Sequence, residues 1–147
     1  MDDTLAGAVN VNLLSAADLV VTSLTKYFTG RGDVMGGAAV LNPKSPIHDS
    51  LLSALRGEYE DTVWGENLAL MESYSADYVE RMQHINRTAE QVCDWLAARP
   101  EVKTVYYPKF RAREVYDRFR VEDGGYGGLF SIVLHEAARS TEPFYNA

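Results

Sequence analysis

The sequence is poor in cysteine, in basic residues and in long apolar runs, and each shortage excludes a class of protein. Its single cysteine, Cys93, rules out an internal disulfide and fits a reducing compartment. Acidic residues outnumber basic ones by 21 to 14, and the net charge of −7 argues against nucleic acid or anionic membrane as a partner. No apolar run approaches the length of a membrane span, and the acidic start is wrong for a signal peptide. We therefore expect a cytoplasmic protein.

Groupings typical of metal sites and of nucleophilic catalysis are also scarce. The three histidines, His48, His84 and His135, lie far apart and show no ligand spacing, so no metal site is predicted. Cys93 falls within a helical pattern and is better explained by core packing than as a nucleophile. The chain has 147 residues and an ordinary share of hydrophobic residues, 46%, which is enough for one compact domain with a real core.

The most informative stretch is a lysine that follows a short apolar run. Residues 19–21 predict a buried strand, residues 22–25 form a hydroxyl-rich turn, and Lys26 comes next. Burying an ammonium is costly unless chemistry uses it, and a lysine whose pKa is lowered by burial can form a Schiff base with an aldehyde. The hydroxyls and the N–H groups of the glycine-rich residues 30–37 could hold a phosphate. These features match pyridoxal phosphate (PLP), although a strand-end lysine whose amine reaches solvent remains the simpler alternative.

A longer pattern around this lysine adds a family resemblance. Ser23-Leu24-Thr25-Lys26-Tyr27, followed by the glycines and the aspartate of residues 30–37, resembles the cofactor-lysine signature of the Cys/Met-metabolism PLP-dependent enzymes. This family of trans-sulfuration enzymes contains cystathionine γ-synthase, the cystathionine lyases and the homoserine-ester sulfhydrylases. The resemblance runs through most of the chain and is strongest to the γ-synthase branch as found in fungi.

The resemblance implies a role for each residue of the candidate site. Lys26 would bind the PLP aldehyde and act as general base, and the hydroxyls of Ser23 and Thr25 would bind the cofactor phosphate. The start of the chain resembles the family's Asp-Asn-Thr motif, so Asp2 would pair with the pyridine nitrogen and keep it protonated, which makes the ring a better electron sink. Thr4 would lie near the ring face. Without the resemblance, a frayed acidic terminus would be the default interpretation of Asp2.

The resemblance also implies an activity and its partners. The substrate would be an amino acid, most simply an acylated homoserine whose γ-substituent is replaced by cysteine. A cystathionine lyase and a homoserine-ester sulfhydrylase are the alternatives within the family. The family's subunits are much longer and form homo-oligomers, so the chain resembles a central piece of such a subunit. A shortened, non-catalytic paralogue that acts only as a subunit partner is the alternative of another class.

The expected fold class is α/β, with three regions. By resemblance to aminotransferase-like (fold type I) PLP enzymes, residues 1–70 would end the PLP-binding large domain, residues 71–99 would form a linking helix, and residues 100–147 would begin an α+β small domain. We expect the first region to contribute to a mostly parallel sheet, with strands at 19–22 and 36–41 and a short helix at 49–59.

Helical periodicity is strongest between residues 62 and 99. A break is expected at residues 73–75, where helix propensity is weakest, and proline 100 ends the pattern. Strands are predicted at 102–107 and 129–134, with a charged helix at 112–120 between them. One apolar stripe at helical spacing is expected to face the core; it consists of Met71, Tyr78, Met82, Ile85, Ala89, Val92 and Leu96.

Overall fold

Two small antiparallel sheets, separated by three helices, make up the fold. The computed structural model describes all 147 residues. The elements are β1 Leu19–Ser23, β2 Gly37–Leu41, α1 His48–Glu58, α2 Gly65–Ser75, α3 Tyr78–Ala97, β3 Val102–Tyr106, α4 Arg113–Asp117, β4 Ser131–Leu134 and α5 Ala137–Tyr145. This mixture of helices and strands confirms the α/β class. No helix combines the length and the apolar character that crossing a bilayer requires.

The first sheet pairs β1 with β2 in antiparallel register, from Leu19 opposite Leu41 to Ser23 opposite Gly37. The expectation of a mostly parallel sheet is therefore wrong for these two strands. The chain between them turns back through residues 24–36 without a crossover helix, and parallel neighbours need such a crossover. Parallel pairing occurs beside β1 only as an isolated bridge between Asp2 and Val21.

The three helices follow the predicted pattern, with a break close to the expected place. Helix α2 ends at Ser75 and α3 begins at Tyr78, so the break lies about two residues beyond the predicted one. Helix α1 matches the predicted short helix and buries none of its residues. The charged helix expected at 112–120 is shorter, since α4 ends at Asp117.

The face that α3 buries differs in part from the predicted stripe. Met82 and Ala89 are buried as expected, but Asn86 and Cys93 complete the buried line, and Val92 is 39% exposed. The stripe was therefore wrong at Val92. Hydrophobicity alone could not assign Asn86 to the core, because its amide is buried only through hydrogen bonds to distant parts of the chain.

The core lies where α3 packs on the second sheet, in which β3 and β4 are antiparallel with a shift in register between Val102 and Thr104. Its buried members are Ala89, Cys93, Val105, Tyr107 and Tyr126. Only 20 of the 147 residues are buried, so this small cluster carries much of the packing. Helix α3 thus connects the second sheet at one end with the Lys26 region at the other.

Candidate functional site

The turn that carries Lys26 follows directly from the end of β1. Leu24–Phe28 forms a wide helical turn in which the N–H of Thr29 donates to the Leu24 carbonyl at 3.1 Å. Lys26 interrupts this turn with φ −85° and ψ −114°, and its carbonyl accepts a hydrogen bond from the N–H of Gly30 at 2.8 Å. The backbone around the lysine is therefore fixed from both sides.

Lys26 itself is exposed, so the expected burial of this residue is wrong. The physical reason is its place after the end of β1, on a turn that borders an open cleft, rather than within the strand. No ion pair within the chain engages its ammonium group. The amine is accordingly free to meet a ligand in the cleft.

Hydroxyl groups hold the strand and the turn beside the lysine. The Oγ1 atom of Thr4 accepts a hydrogen bond from the N–H of Ser23 at 2.8 Å, and the Oγ1 of Thr25 accepts one from the N–H of Gly36 at 3.2 Å. Thr29 is buried and donates its hydroxyl to the carbonyls of Leu24 and Thr25 at 3.0 and 3.2 Å. In this arrangement the Thr4 and Thr25 oxygens still have their own hydroxyl protons to donate.

Asp2 lies beside β1 and is held there by its backbone. The N–H of Val21 donates to the Met1 carbonyl at 2.8 Å, and the N–H of Asp3 donates to the Val21 carbonyl at 3.1 Å. The Asp2 carboxylate is exposed and accepts the N–H of Thr4 at 2.8 Å. Hydrogen bonds from Thr4 lower the pKa of Asp2, which favours its charged form.

A cleft of about 490 Å³ opens over the lysine turn, and ten residues line it. Thr4, Thr25 and Lys26 are among them, whereas Asp2 and Ser23 are not. Three of the lining residues are cationic, Lys26, Arg31 and Arg81, and none is acidic. A cleft with this lining attracts anions even though the chain as a whole carries a charge of −7.

The chemistry of this lining fits PLP. The amine can react with an aldehyde, and the hydroxyls and guanidinium groups can bind a phosphate. The cleft volume lies within the usual range for small-molecule sites, roughly 300–1,000 Å³. Of the residues assigned by resemblance, the structure therefore brings Lys26, Thr25 and Thr4 together around one cleft. Ser23, at the end of β1, and Asp2, which is bridged to Val21 of β1, lie outside its lining.

Sequence reasoning missed Arg81. Its guanidinium Nη1 donates to the Tyr27 carbonyl at 2.5 Å, directly after the lysine, although 54 residues separate the two in sequence. The spacing of Asp77 and Arg81 on one helix indicates an ion pair, which the structure shows at 3.0 Å. No sequence signal points to the Tyr27 carbonyl, because only the tertiary fold brings the first turn of α3 to the lysine turn.

Comparison with known proteins gives consistent matches in sequence and in fold. The family described as "Cys/Met metabolism PLP-dependent enzyme" matches residues 1–147. Cystathionine γ-synthase of Neurospora crassa is 43% identical over 148 residues, which cover 100% of this chain and 24% of that protein.

Two solved structures show the same fold. The metB protein of Corynebacterium glutamicum superposes with a TM-score of 0.77 at 28% identity, over 92% of this chain and 35% of the other. Cystathionine γ-lyase from yeast superposes with a TM-score of 0.74 at 26% identity, over 90% of this chain and 34% of the other. The chain thus spans about a quarter of the length of the curated relative and about a third of each solved structure.

Proposed function

Because the chain belongs to the Cys/Met-metabolism family of PLP-dependent enzymes, we propose that it carries the cofactor-lysine region of a trans-sulfuration enzyme. The similarity to a γ-synthase supports the reaction class in which cysteine replaces the γ-substituent of an acylated homoserine. The observation that carries the proposal is the cationic cleft in which Lys26 offers an unpaired amine beside the Thr4 and Thr25 hydroxyls.

The proposal assigns a role in cofactor binding or catalysis to each residue of the site. The amine of Lys26 would hold the cofactor through its aldehyde and would serve as the general base for the proton on the α-carbon of the substrate. The hydroxyl of Thr25 would bind the phosphate within the cleft, and that of Ser23, at the end of β1 and outside the cleft lining, would bind it from the adjoining strand. Asp2 would pair with the pyridine nitrogen, and the hydrogen bonds from Thr4 that lower the pKa of Asp2 favour the charged form that this pairing requires. When bound, the cofactor supplies the electron sink for the negative charge that develops at the substrate.

The proposal extends to the organisation of the complete protein. Residues 1–70 end the cofactor domain, residues 71–99 link it to the small domain, and residues 100–147 begin that small domain. The substrates are amino acids, and the complete enzyme is a homo-oligomer of the cytoplasm. Support comes from the similarity to a γ-synthase along the whole chain and from the single cysteine, which suits a reducing compartment.

There are two alternatives to this proposal. A lyase reaction is supported by the similar fold of the yeast cystathionine γ-lyase. A non-catalytic subunit partner is the alternative of another class; it predicts that Lys26 takes up no PLP. An assay with an acylated homoserine and cysteine distinguishes the γ-synthase from the lyase, because a γ-synthase forms cystathionine whereas a lyase consumes it.

Covalent trapping tests the proposal directly. The chain is incubated with PLP, reduced with borohydride, digested and examined by mass spectrometry. We expect the phosphopyridoxyl group on the peptide that contains Lys26, and its loss in Lys26→Ala. Lys44→Ala is the matched control, because Lys44 is also exposed but does not line the cleft. Equal labelling of all lysines, or no uptake of PLP at all, would refute the assignment of Lys26 and favour the non-catalytic alternative.

A further inference from the structure

We propose that Arg81 is a positioning residue that ties the junction of α2 and α3 to the backbone of the lysine turn. In this way Arg81 determines how the amine of Lys26 is presented to the cleft. The inference rests on the proposed function of Lys26 and adds a residue that the sequence did not reveal. Its basis is the set of hydrogen bonds that a single guanidinium group makes to three carbonyl groups of two separate segments.

Arg81 reaches the lysine turn from the first turn of α3. Its Nη1 donates to the Tyr27 carbonyl at 2.5 Å and its Nη2 donates to the Phe28 carbonyl at 3.3 Å. The same Nη2 donates to the Tyr74 carbonyl, near the end of α2, at 3.0 Å. One side chain therefore holds together the end of one helix, the start of the next and the two residues that follow Lys26.

A carboxylate fixes the orientation of this guanidinium. Asp77, one helical turn before Arg81, accepts hydrogen bonds from Nε at 3.3 Å and from Nη2 at 3.0 Å. The Asp77 side chain is 65% exposed, so this ion pair faces water, whereas the Arg81 side chain is 23% exposed and its contacts with the carbonyls are partly buried. A planar fork with five donors suits several fixed carbonyls at once, which a lysine ammonium cannot match in the same geometry.

Gly30 shows that the turn and the guanidinium fit closely. A Cβ atom at this position would lie 2.6 Å from Nη1 of Arg81 and 2.8 Å from its Cζ. Gly30 also has φ +74°, a backbone conformation that other residues rarely adopt. The glycine thus both closes the turn after Lys26 and leaves room for the arginine.

The carbonyls of the lysine turn show why the arginine matters there. The Lys26 carbonyl has its donor within the turn, the N–H of Gly30. The next two carbonyls, of Tyr27 and Phe28, receive their side-chain donors from Arg81. Loss of the guanidinium would leave these carbonyls without side-chain donors and would remove the hydrogen bonds between the turn and α3. Of the contacts between the two elements, the ring contact of Phe28 with Tyr78 would remain. The direction of the Lys26 side chain depends on the backbone of the turn.

Arg81 also lines the cleft, so a direct contact with an anionic ligand is the competing role. The positioning role and the phosphate-binding role of Arg81 can be distinguished by whether a ligand is required. Positioning operates through the backbone and is present in the chain without any cofactor. Direct binding of the phosphate requires a phosphate on the ligand and leaves the backbone of the turn unchanged.

The test compares Arg81→Gln, Arg81→Lys and Asp77→Asn with Arg87→Gln, a control on the same helix whose arginine is exposed and makes no ion pair. Hydrogen exchange of the Thr29 and Gly30 amides is measured in the cofactor-free chain. Trapping of Lys26 with borohydride is measured with PLP and with pyridoxal, which lacks the phosphate.

In Arg81→Gln we expect the Thr29 and Gly30 amides to exchange about tenfold faster, the order that loss of one charge-assisted hydrogen bond predicts. Trapping of Lys26 should fall severalfold with both aldehydes. Asp77→Asn and Arg81→Lys should give intermediate values, and Arg87→Gln should match the original chain. Should Arg81→Gln fail to fold, these intermediate variants decide between the roles by the same two measurements.

Unchanged exchange at both amides would overturn the proposal. It would also be overturned if trapping fell with PLP alone, because that result assigns Arg81 to the phosphate. If the original chain traps neither aldehyde on Lys26, the proposed function fails, and the exchange measurement still decides whether Arg81 holds the turn.

Discussion

Asn10 and Asn86 exchange side-chain hydrogen bonds in both directions across the centre of the molecule. The Nδ2 of Asn86 donates to the Oδ1 of Asn10 at 2.7 Å, and the Nδ2 of Asn10 donates to the Oδ1 of Asn86 at 3.2 Å. The same two oxygens accept the N–H groups of Gly125 and Gly127 at 2.9 and 3.0 Å. This amide pair therefore connects the N-terminal segment, α3 and the glycine-rich loop before β4.

Replacing Asn86 with alanine should destabilise the chain by about 2–3 kcal/mol. The N–H of Gly127 and the amide of Asn10 would lose buried partners, and each such loss costs about 1–3 kcal/mol. Urea unfolding followed by circular dichroism measures the change. Asn146→Ala serves as control, because Asn146 is exposed near the chain end.

A double-mutant cycle with Asn10→Ala gives a sharper result. Because the two amides satisfy each other, the double variant should lose clearly less stability than the sum of the single variants. Strict additivity would mean that the reciprocal hydrogen bonds contribute nothing to the stability.

Alanine at Gly124 or Gly125 should be poorly tolerated. A Cβ at Gly124 would lie 2.3 Å from the carbonyl oxygen of Asn10, and one at Gly125 would lie 2.3 Å from Cγ of Asn86. Relieving the first contact requires a backbone shift, and relieving the second displaces the buried Asn86 amide from its hydrogen bonds, so each should cost about 1–3 kcal/mol or more. Thermal unfolding of each variant provides the measurement.

Gly57→Ala is the matched control for these glycines, since nothing lies within 4 Å of a Cβ there and the residue is part of α1. Alanine should leave the stability of this helix unchanged or raise it by up to about 1 kcal/mol. Equal effects at all three positions would contradict the close packing of the loop against the amide pair.

The ion pairs of Asp117 should make stability depend on acid pH. The Arg120 guanidinium, at 2.8 Å, and then Arg113, at 3.2 Å, hold the pKa of Asp117 below its ordinary 3.8, and Tyr126 donates its hydroxyl to the same carboxylate. A carboxyl whose pKa is lower in the folded state contributes stability that is complete above the ordinary pKa and is lost as pH falls through the lowered one.

Asp117→Asn should therefore lower the melting temperature at pH 7, and the difference from the original chain should shrink below about pH 4. Melting temperatures at pH 7, 5 and 3 measure this. Asp123→Asn is the control, because Asp123 is exposed and makes no ion pair. A difference that grows towards low pH would have the opposite sign and would refute the role of Asp117.

Cys93 should be almost unreactive in the folded chain. Its side chain is completely buried, and burial raises the pKa of its thiol to about 11, so little thiolate forms near neutral pH. An aromatic disulfide reagent at pH 8 should react at least about a hundredfold more slowly with the folded chain than with the chain in urea. Rapid reaction without urea would mean that α3 does not stay packed on the second sheet.

The α3 stripe shows how far local pattern reaches. Helical periodicity identified the helix and the burial of Met82 and Ala89, because apolar side chains at that spacing share one face. It wrongly placed Val92 in the core and it missed Asn86, whereas the separate expectation that Cys93 packs in the core is confirmed. An asparagine amide is stable in the core only when distant groups form hydrogen bonds with it. Helical periodicity gives no information about which distant groups these are.

The pairing of β1 and the exposure of Lys26 also could not be predicted from local sequence. An apolar run predicted β1, but its antiparallel partner depends on how residues 24–36 turn. The lysine was identified from its neighbours in sequence, whereas its exposure depends on where the turn leaves the strand. The direction of this turn depends on its hydrogen bonds, and two of their donors belong to Arg81, more than 50 residues along the chain.

By itself, the sequence determined the family, pointed to Lys26 as the lysine to test, and predicted the order of the strands and helices from β1 to β4. These properties reside in residue types at short spacing, where local conformation and chemistry are encoded directly. Only the tertiary structure decided that Arg81 meets the Tyr27 carbonyl and that Asn10 meets Asn86. Such contacts join residues more than 50 positions apart, and their geometry arises only when the helices and sheets have packed.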